Sequence, residues 1–326
     1  MTALRKSANL SEIEPELSIV IPSFNEQNNL QALYSELMKV LPSLNMTWEI
    51  IFSDDGSIDN TWGEIVSLHE KDRRVRGVRL SRNFGHQYAL LAGLSHAKGK
   101  AVITMDSDLQ HPPELIKKLV AEWQKGNKIV HTVRMDIEKI SFFKKITSKL
   151  FYRIWSFLSG IEIESGMADY RLLDRQVLDS ILEFREEGLF LRGVVQWVGY
   201  TSSKVSFHCQ KRFSGESKYT VGKMIKFAMT GITSFSVVPL RIGIFIGVIT
   251  SLASFVEIIY VIYAKLIAKT TVPGWASAVS ILSFLFGILF ILLGLIGLYV
   301  GRVLVEVKRR PRFLVSEFLG VDDNSQ

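Results

Sequence analysis

AVITMDSDLQHP, residues 101–112, is an apolar run that ends in two carboxylates, Asp106 and Asp108, and then in a proline turn. Its near-continuous apolar content suits a strand buried on both faces, as in a parallel sheet. Runs of the same kind lie to either side: LSIVIPSFN (17–25), EIIFSDD (49–55), VRGVRLS (75–81) and KIVHTV (128–133). Between them, Asn28–Leu41, Asp59–Lys71 and Pro113–Trp123 carry helical apolar spacing, the last opening on proline. Alternation of strand and helix predicts an α/β doubly wound domain whose ligands lie beyond the carboxyl ends of the strands. Polar motifs occupy those ends: Pro22–Glu26, Ser53–Ser57 and Asp106–Asp108.

Two carboxylates separated by one residue point the same way along a strand and repel unless a cation sits between them. Oxygen ligands of this kind suit Mg²⁺ or Mn²⁺, and magnesium completes its shell with substrate phosphates. The Asp54-Asp55 pair stands at a second strand end. A turn-capping role for either pair is the competing reading.

The C-terminal third has a different character. Residues 276–300 hold no charged side chain, and about 242–262 is also strongly apolar. Each is long enough for a bilayer core of roughly 30 Å. The connector 265–275 carries only Lys265 and Lys269 and turns at Pro273-Gly274, whereas Arg241, Arg302, Lys308, Arg309, Arg310 and Arg312 flank the outer ends. The positive-inside rule then places both termini in the cytoplasm. Residues 1–16 are polar and have no secretory pattern, consistent with a cytoplasmic N-terminal domain. Gly243–Gly247 and Gly297–Gly301 permit close helix contact, within the hairpin or between subunits of a homo-oligomer. Glu257 within the first span is costly and has no role assigned by the sequence.

Before the spans come two basic stretches. In FFKKITSKLFYRIWSFL (142–158), Phe143, Ile146, Leu150, Ile154 and Leu158 form one stripe. Lys204–Lys226 has six basic residues against Glu216 and leads into an amphipathic pattern over 221–235. Such segments read as interfacial helices facing anionic headgroups, with a solvated helix face as the alternative. A formal charge of +7 could suggest nucleic acid, but the basic residues cluster beside apolar spans and no nucleic-acid motif occurs. The single Cys209 excludes an internal disulfide framework and a cysteine-rich zinc site, and 48% hydrophobic content excludes a disordered chain.

The ordered set Pro22-Ser23-Phe24-Asn25-Glu26, Asp54-Asp55-Gly56-Ser57 and Asp106-Ser107-Asp108-Leu109-Gln110 resembles family 2 glycosyltransferases of GT-A fold. Ser81–Gly85, Arg212–Tyr219 and the run Gly231–Arg241 into two spans are similar to polyprenyl-phosphate glycosyltransferases. Within that group they look most like bacterial bactoprenol glucosyltransferases. The resemblance implies a GT-A domain over 17–213 after a polar tail (1–16). A phosphate-binding loop and juxtamembrane helix (214–238), a membrane hairpin (239–304) and a basic C-terminal tail (305–326) follow.

It also implies roles. Pro22, Glu26, Asp54, Asp55, Asp106 and Arg134 would bind the donor nucleotide, a UDP-sugar; Asp108 and Gln110, with Asp106, would hold Mg²⁺ or Mn²⁺. Arg212, Ser217 and Lys218, with Lys144 and Ser148 as second choices, would hold the phosphate of a polyprenyl phosphate or the donor pyrophosphate. Asp106, Asp108 and Asp169 are the catalytic candidates; Asp169 would orient the sugar, act as a base, or simply cap a helix over Leu172–Leu182. The implied reaction is inverting transfer of one hexose, glucose first and mannose, galactose or an amino-arabinose as alternatives, onto undecaprenyl phosphate. No Q-x-x-R-W motif of processive synthases is present, since Gln196-Trp197 lacks the spacing. A membrane adaptor with a degenerate transferase domain is the rival from outside the enzymes.

Overall fold

The computed structural model describes residues 14–135, 167–186, 191–208, 238–267 and 274–321. They fall into two compact units: the described residues up to 208 together with 311–321, and the helices between 238 and 310.

The first unit is built on one sheet of eight strands: β1 (Leu17–Ser23), β2 (Trp48–Asp54), β3 (Val75–Leu80), β4 (Ala101–Thr104), β5 (Ile129–Met135), β6 (Met167–Asp174), β7 (Ser202–His208) and β8 (Val315–Leu319). Their order is β7-β5-β6-β4-β1-β2-β3-β8. The expected parallel pairings hold for β4, β1, β2 and β3, whereas β6 runs antiparallel between β4 and β5 and β8 antiparallel beside β3. The sheet is therefore mixed though mostly parallel. Strand order reverses between β1 and β4, which opens a crevice at their carboxyl ends.

Strand alternation sorts the core into two layers. Ile19, Ile21, Ile50, Phe52 and Ile103 face α1 (Leu30–Val40), α2 (Thr61–Lys71) and α4 (Leu115–Gln124). Val20 and Ser53, one residue out of phase, face α3 (His86–His96), where Gly93 lets the helix approach the sheet. No helix was expected over 86–96. Ala89–Leu94 are all buried, so the segment lacks the one-sided pattern by which a surface helix is recognised. The expected helix over Leu172–Leu182 is also corrected: strand β6 runs to Asp174, which caps α5 (Arg175–Leu182) by accepting the Gln176 N–H at 3.1 Å. A short helix α6 (Leu191–Trp197) follows.

The C-terminal tail differs from expectation too. Within the expected basic tail, residues 315–319 form β8, which pairs with the edge of β3, sets Leu319 against the core and turns Phe318 toward His96.

The second unit contains α7 (Val238–Leu266) and α8 (Trp275–Lys308). Their most apolar windows are Leu240–Tyr260 and Phe284–Lys308, long enough to cross a membrane and almost wholly exposed. A Cβ on Gly243 would lie 2.6 Å from Leu292, so this glycine makes the close contact of the helix pair; Gly247, Gly297 and Gly301 have nothing within 4 Å. Glu257 is exposed on α7.

Gly93→Ala tests the α3 approach. Its Cβ would fall 2.5 Å from Val20 Cγ1. Overpacking at about 1–3 kcal/mol outweighs a helix-propensity gain of about 1 kcal/mol, so a net loss is expected in denaturant unfolding followed by tryptophan fluorescence.

Candidate active site

Three loops converge at the carboxyl edge of β1, β2 and β4. The first two are knitted together by backbone and side chain. Asn25, held at φ +56°, donates its N–H to Ser57 Oγ at 2.9 Å and accepts the Ile58 N–H on its side-chain oxygen at 3.0 Å. Glu26 donates its N–H to Thr61 Oγ1 at 2.9 Å, and its carboxylate accepts from the Asn29 side chain. Pro22 lies within β1, paired to Ser53. The Asp-Asp-Gly-Ser turn depends on Gly56, at φ +65°, whose Cβ would collide with the Arg82 backbone at 2.4 Å.

Asp54 and Asp55 are buried at 0% and 3% exposure. Asp54 accepts the Ser57 N–H at 3.1 Å and faces Arg79 Nε at 3.4 Å. Asp55 accepts the Phe84 N–H at 2.7 Å and the Gly85 N–H at 2.9 Å, so it caps α3 across the fold. Burial pushes both carboxyls up, against the pull of these hydrogen bonds. Both residues therefore organise the loops from beneath.

Asp106 and Asp108 stand higher. The Asp106 side chain is 37% exposed, and its carboxylate lies 3.7 Å from His86 Nε2 and 3.8 Å from His111 Nε2. The Asp106 N–H donates to His111 Nδ1 at 3.2 Å. With Nδ1 as the acceptor, Nε2 is the ring nitrogen that faces the carboxylate. His111 is clamped by Tyr170 (ring centroids 4.9 Å apart) and Phe207 (5.8 Å). Leu109 takes a left-handed conformation, φ +61°, and packs on the core. The turn it makes brings the Gln110 N–H to Asp108 Oδ1 at 3.1 Å. A branched residue at positive φ costs of order 1–3 kcal/mol and persists where the surroundings fix it.

Asp169 lies within β6, so it is not the helix cap that the sequence allowed. Arg192 grips its carboxylate through two hydrogen bonds of 2.8 and 2.7 Å, and Arg171 donates a third at 2.7 Å. His86 Nε2 is 3.9 Å away. Burial alone would raise its pKa, but Arg192 and Arg171 outweigh burial and hold the carboxyl well below the usual range. Arg134 lies at the exposed end of β5. Lys144, Ser148, Arg212, Ser217 and Lys218 lie outside the described residues.

The structure thus brings Pro22, Glu26, Asp54, Asp55, Asp106, Asp108, Gln110 and Asp169 to neighbouring strand ends and loops. It adds His86, His111, Arg171 and Arg192, which sequence reasoning missed. Arg171 follows Asp169 by two residues and so shares its sheet face, a spacing that offered a signal. His86 and Arg192 gave none, being joined to the site only by folding.

Residues 18–182 match the family model described as glycosyl transferase family 2. An uncharacterized glycosyltransferase of Synechocystis sp. is 41% identical over 307 residues, covering 94% of this chain and 96% of that protein. A prophage bactoprenol glucosyl transferase homolog of Escherichia coli K12 is 35% identical over 300 residues, covering 92% and 98%. The bactoprenol glucosyl transferase of Shigella phage SfII is 35% identical over 302 residues, covering 93% and 98%.

Removing the Asp169 charge leaves buried Arg171 unbalanced. Asp169→Asn is expected to lose about 3–5 kcal/mol of unfolding free energy, measured by denaturant titration. His131, 3% exposed, is held down to about 4 by burial and by Arg171 and Lys204. Its neutral form is the folded form, so its contribution is complete above a pH of about 6.5 and falls away as pH drops toward 4. Midpoints recorded from pH 7 to 4 should decline less for His131→Gln than for the unaltered chain.

Proposed function

The chain belongs to glycosyltransferase family 2, is a glycosyltransferase of GT-A fold, and on that premise we propose that it moves one hexose from a nucleotide sugar to a polyprenyl phosphate. The observation that carries this reading is one chain holding both parts such a reaction needs. Partly exposed Asp106 and Asp108 stand at the switch point of the sheet, and two apolar helices follow. Relatives named for bactoprenol glucosyl transfer, matched over nearly their whole length, favour glucose from UDP-glucose and undecaprenyl phosphate as the pair.

In this reading the loops of Pro22–Glu26 and Asp54–Ser57 form the floor of the nucleotide pocket. Asp106, Asp108 and Gln110 face the diphosphate and a divalent cation. Two carboxylates and an amide suit Mg²⁺ or Mn²⁺. Asp106, Asp108 and Gln110 would hold such a cation, with water and donor phosphate oxygens as its further ligands. A bound cation would supply charge neutralisation to the departing nucleoside diphosphate.

The acceptor needs little activation. A phosphate monoester has a second pKa near 6 and is largely dianionic at neutral pH. Its oxygen forms the bond to the anomeric carbon as the bond to the diphosphate breaks, and attack from the opposite side turns an α-linked donor into a β-linked lipid phosphate. A general base should titrate near the working pH. Asp169, gripped by two arginines and held far below it, is better read as the group that positions Arg192 and Arg171. Arg134, with Arg212, Ser217, Lys218, Lys144 and Ser148, supplies the phosphate-binding positions of this reading. Reaction at the cytoplasmic face of a bacterial plasma membrane, with both termini cytoplasmic, follows from the charge asymmetry around the spans. A homo-oligomer joined through the open glycine positions is compatible with it.

The purified chain in detergent, given Mg²⁺, undecaprenyl phosphate and a panel of labelled sugar nucleotides, should label the lipid phase from UDP-glucose. EDTA should abolish labelling, and Asp108→Asn should lower the rate by about 10²-fold or more, as loss of a group that acts on the transition-state charge does. Labelling from another donor would correct the sugar alone, and none from any donor with folded protein would overturn the reading.

A further inference from the structure

Arg79 is a shared cation. From β3 it reaches buried Asp54 with Nε at 3.4 Å and Glu317 of β8 with Nη1 at 2.6 Å. Arg79 and Glu317 are directly opposed in the antiparallel ladder, the geometry in which cross-strand pairs interact. Glu317 is itself held: its second oxygen accepts the Trp62 Nε1–H at 3.0 Å, and the Arg79 guanidinium lies 5.7 Å from the Trp62 ring. The strand that carries it is fixed by the Ser81 N–H donating to Leu314 O at 2.8 Å and Ser316 Oγ donating to Arg79 O at 3.1 Å.

Asp54 needs this partner. Its Oδ2 is buried without a hydrogen bond, as are the Oγ atoms of Ser23 and Ser53 beside it in the ladder. The hydrogen bonds that Asp54 does accept come from Ser57, its N–H at 3.1 Å to Oδ1 and its side chain. An unbalanced buried carboxylate is expensive and protonates instead. The Arg79 side chain is 31% exposed, and the Glu317 carboxylate at 2.6 Å is the contact that holds its guanidinium beside Asp54.

We propose that Glu317, from the strand that follows the last apolar helix, is a positioning residue for the donor pocket, acting through Arg79 to keep the Asp54 carboxylate charged and its turn closed. The inference rests on the proposed reading of the Asp54–Ser57 loop as part of that pocket. The C-terminal segment is then a working component of the transferase, placed more than two hundred residues from the loop it serves.

Binding of UDP with Mg²⁺ to the full chain in detergent is the test, read by calorimetry beside the thermal midpoint and the KM for each substrate. Glu317→Gln keeps the size and the Trp62 contact but removes the charge. It should weaken UDP binding and raise the donor KM about 2–5-fold, as expected for a partly exposed pair of up to about 1 kcal/mol, leaving the lipid KM and thermal midpoint unchanged. Glu317→Asp should recover part of the loss. Combining Glu317→Gln with Arg79→Gln should cost no more than Arg79→Gln alone. A lowered thermal midpoint with unaltered UDP binding would make β8 merely structural and overturn the inference. Asp54→Asn separates the two levels. If it weakens UDP binding while Glu317→Gln does not, the positioning inference fails alone; if neither variant weakens binding, the donor-pocket reading of this loop fails with it.

Discussion

A carboxylate buried at the end of a strand has to be balanced where it stands, and this fold buries three of them at one edge. Asp54 is met by Arg79 and the Ser57 N–H, Asp55 by two backbone N–H groups at the start of α3, and Asp169 by Arg192 and Arg171. Each solution is different, and each ties together pieces of chain that are distant in sequence. Removing a partner from such a group costs more than the pair contributes, because the orphaned charge stays buried. These contacts fix the frame on which the partly exposed Asp106 and Asp108 are displayed.

The division between buried and exposed acids gives the site its chemistry. Deep carboxylates shape loops and orient cations. The shallower Asp106, bracketed by His86 and His111, and Asp108, at the strained Leu109 turn, stand where a ligand can be reached. Leu109 is driven into its left-handed conformation by anchoring its side chain on the core, so packing energy sets the geometry of a polar loop. The Asp55 cap does the same for α3, whose first residue, His86, faces both Asp106 and Asp169.

The eighth strand extends this economy of parts to the far end of the chain. Without β8, the edge of β3 would present unpaired backbone groups. With it, the edge is closed by Val315–Leu319, Phe318 packs toward His96 on one face, and Glu317 reaches Arg79 and Trp62 on the other. A single strand therefore serves both the sheet and the acidic turn beside it.

Much of this was legible in the residues. Continuous apolar runs ending in polar motifs determined the strands, the doubly wound class and the edge where the site lies, because strand periodicity and burial are local properties. The two apolar helices followed from long apolar runs, 276–300 without a charge and about 242–262 with Glu257 alone. What the sequence could not determine was everything set by pairing at a distance. Helix α3 is buried on all sides and shows no periodic face; β6 runs against its neighbours; Asp169 belongs to a strand and is gripped by Arg192 from a later helix. Glu317 sits in a segment whose composition resembles a basic tail, and only its register against Arg79 gives it a role. Local pattern reports which residues are to be buried, whereas the partner that balances a buried charge is chosen by tertiary geometry alone.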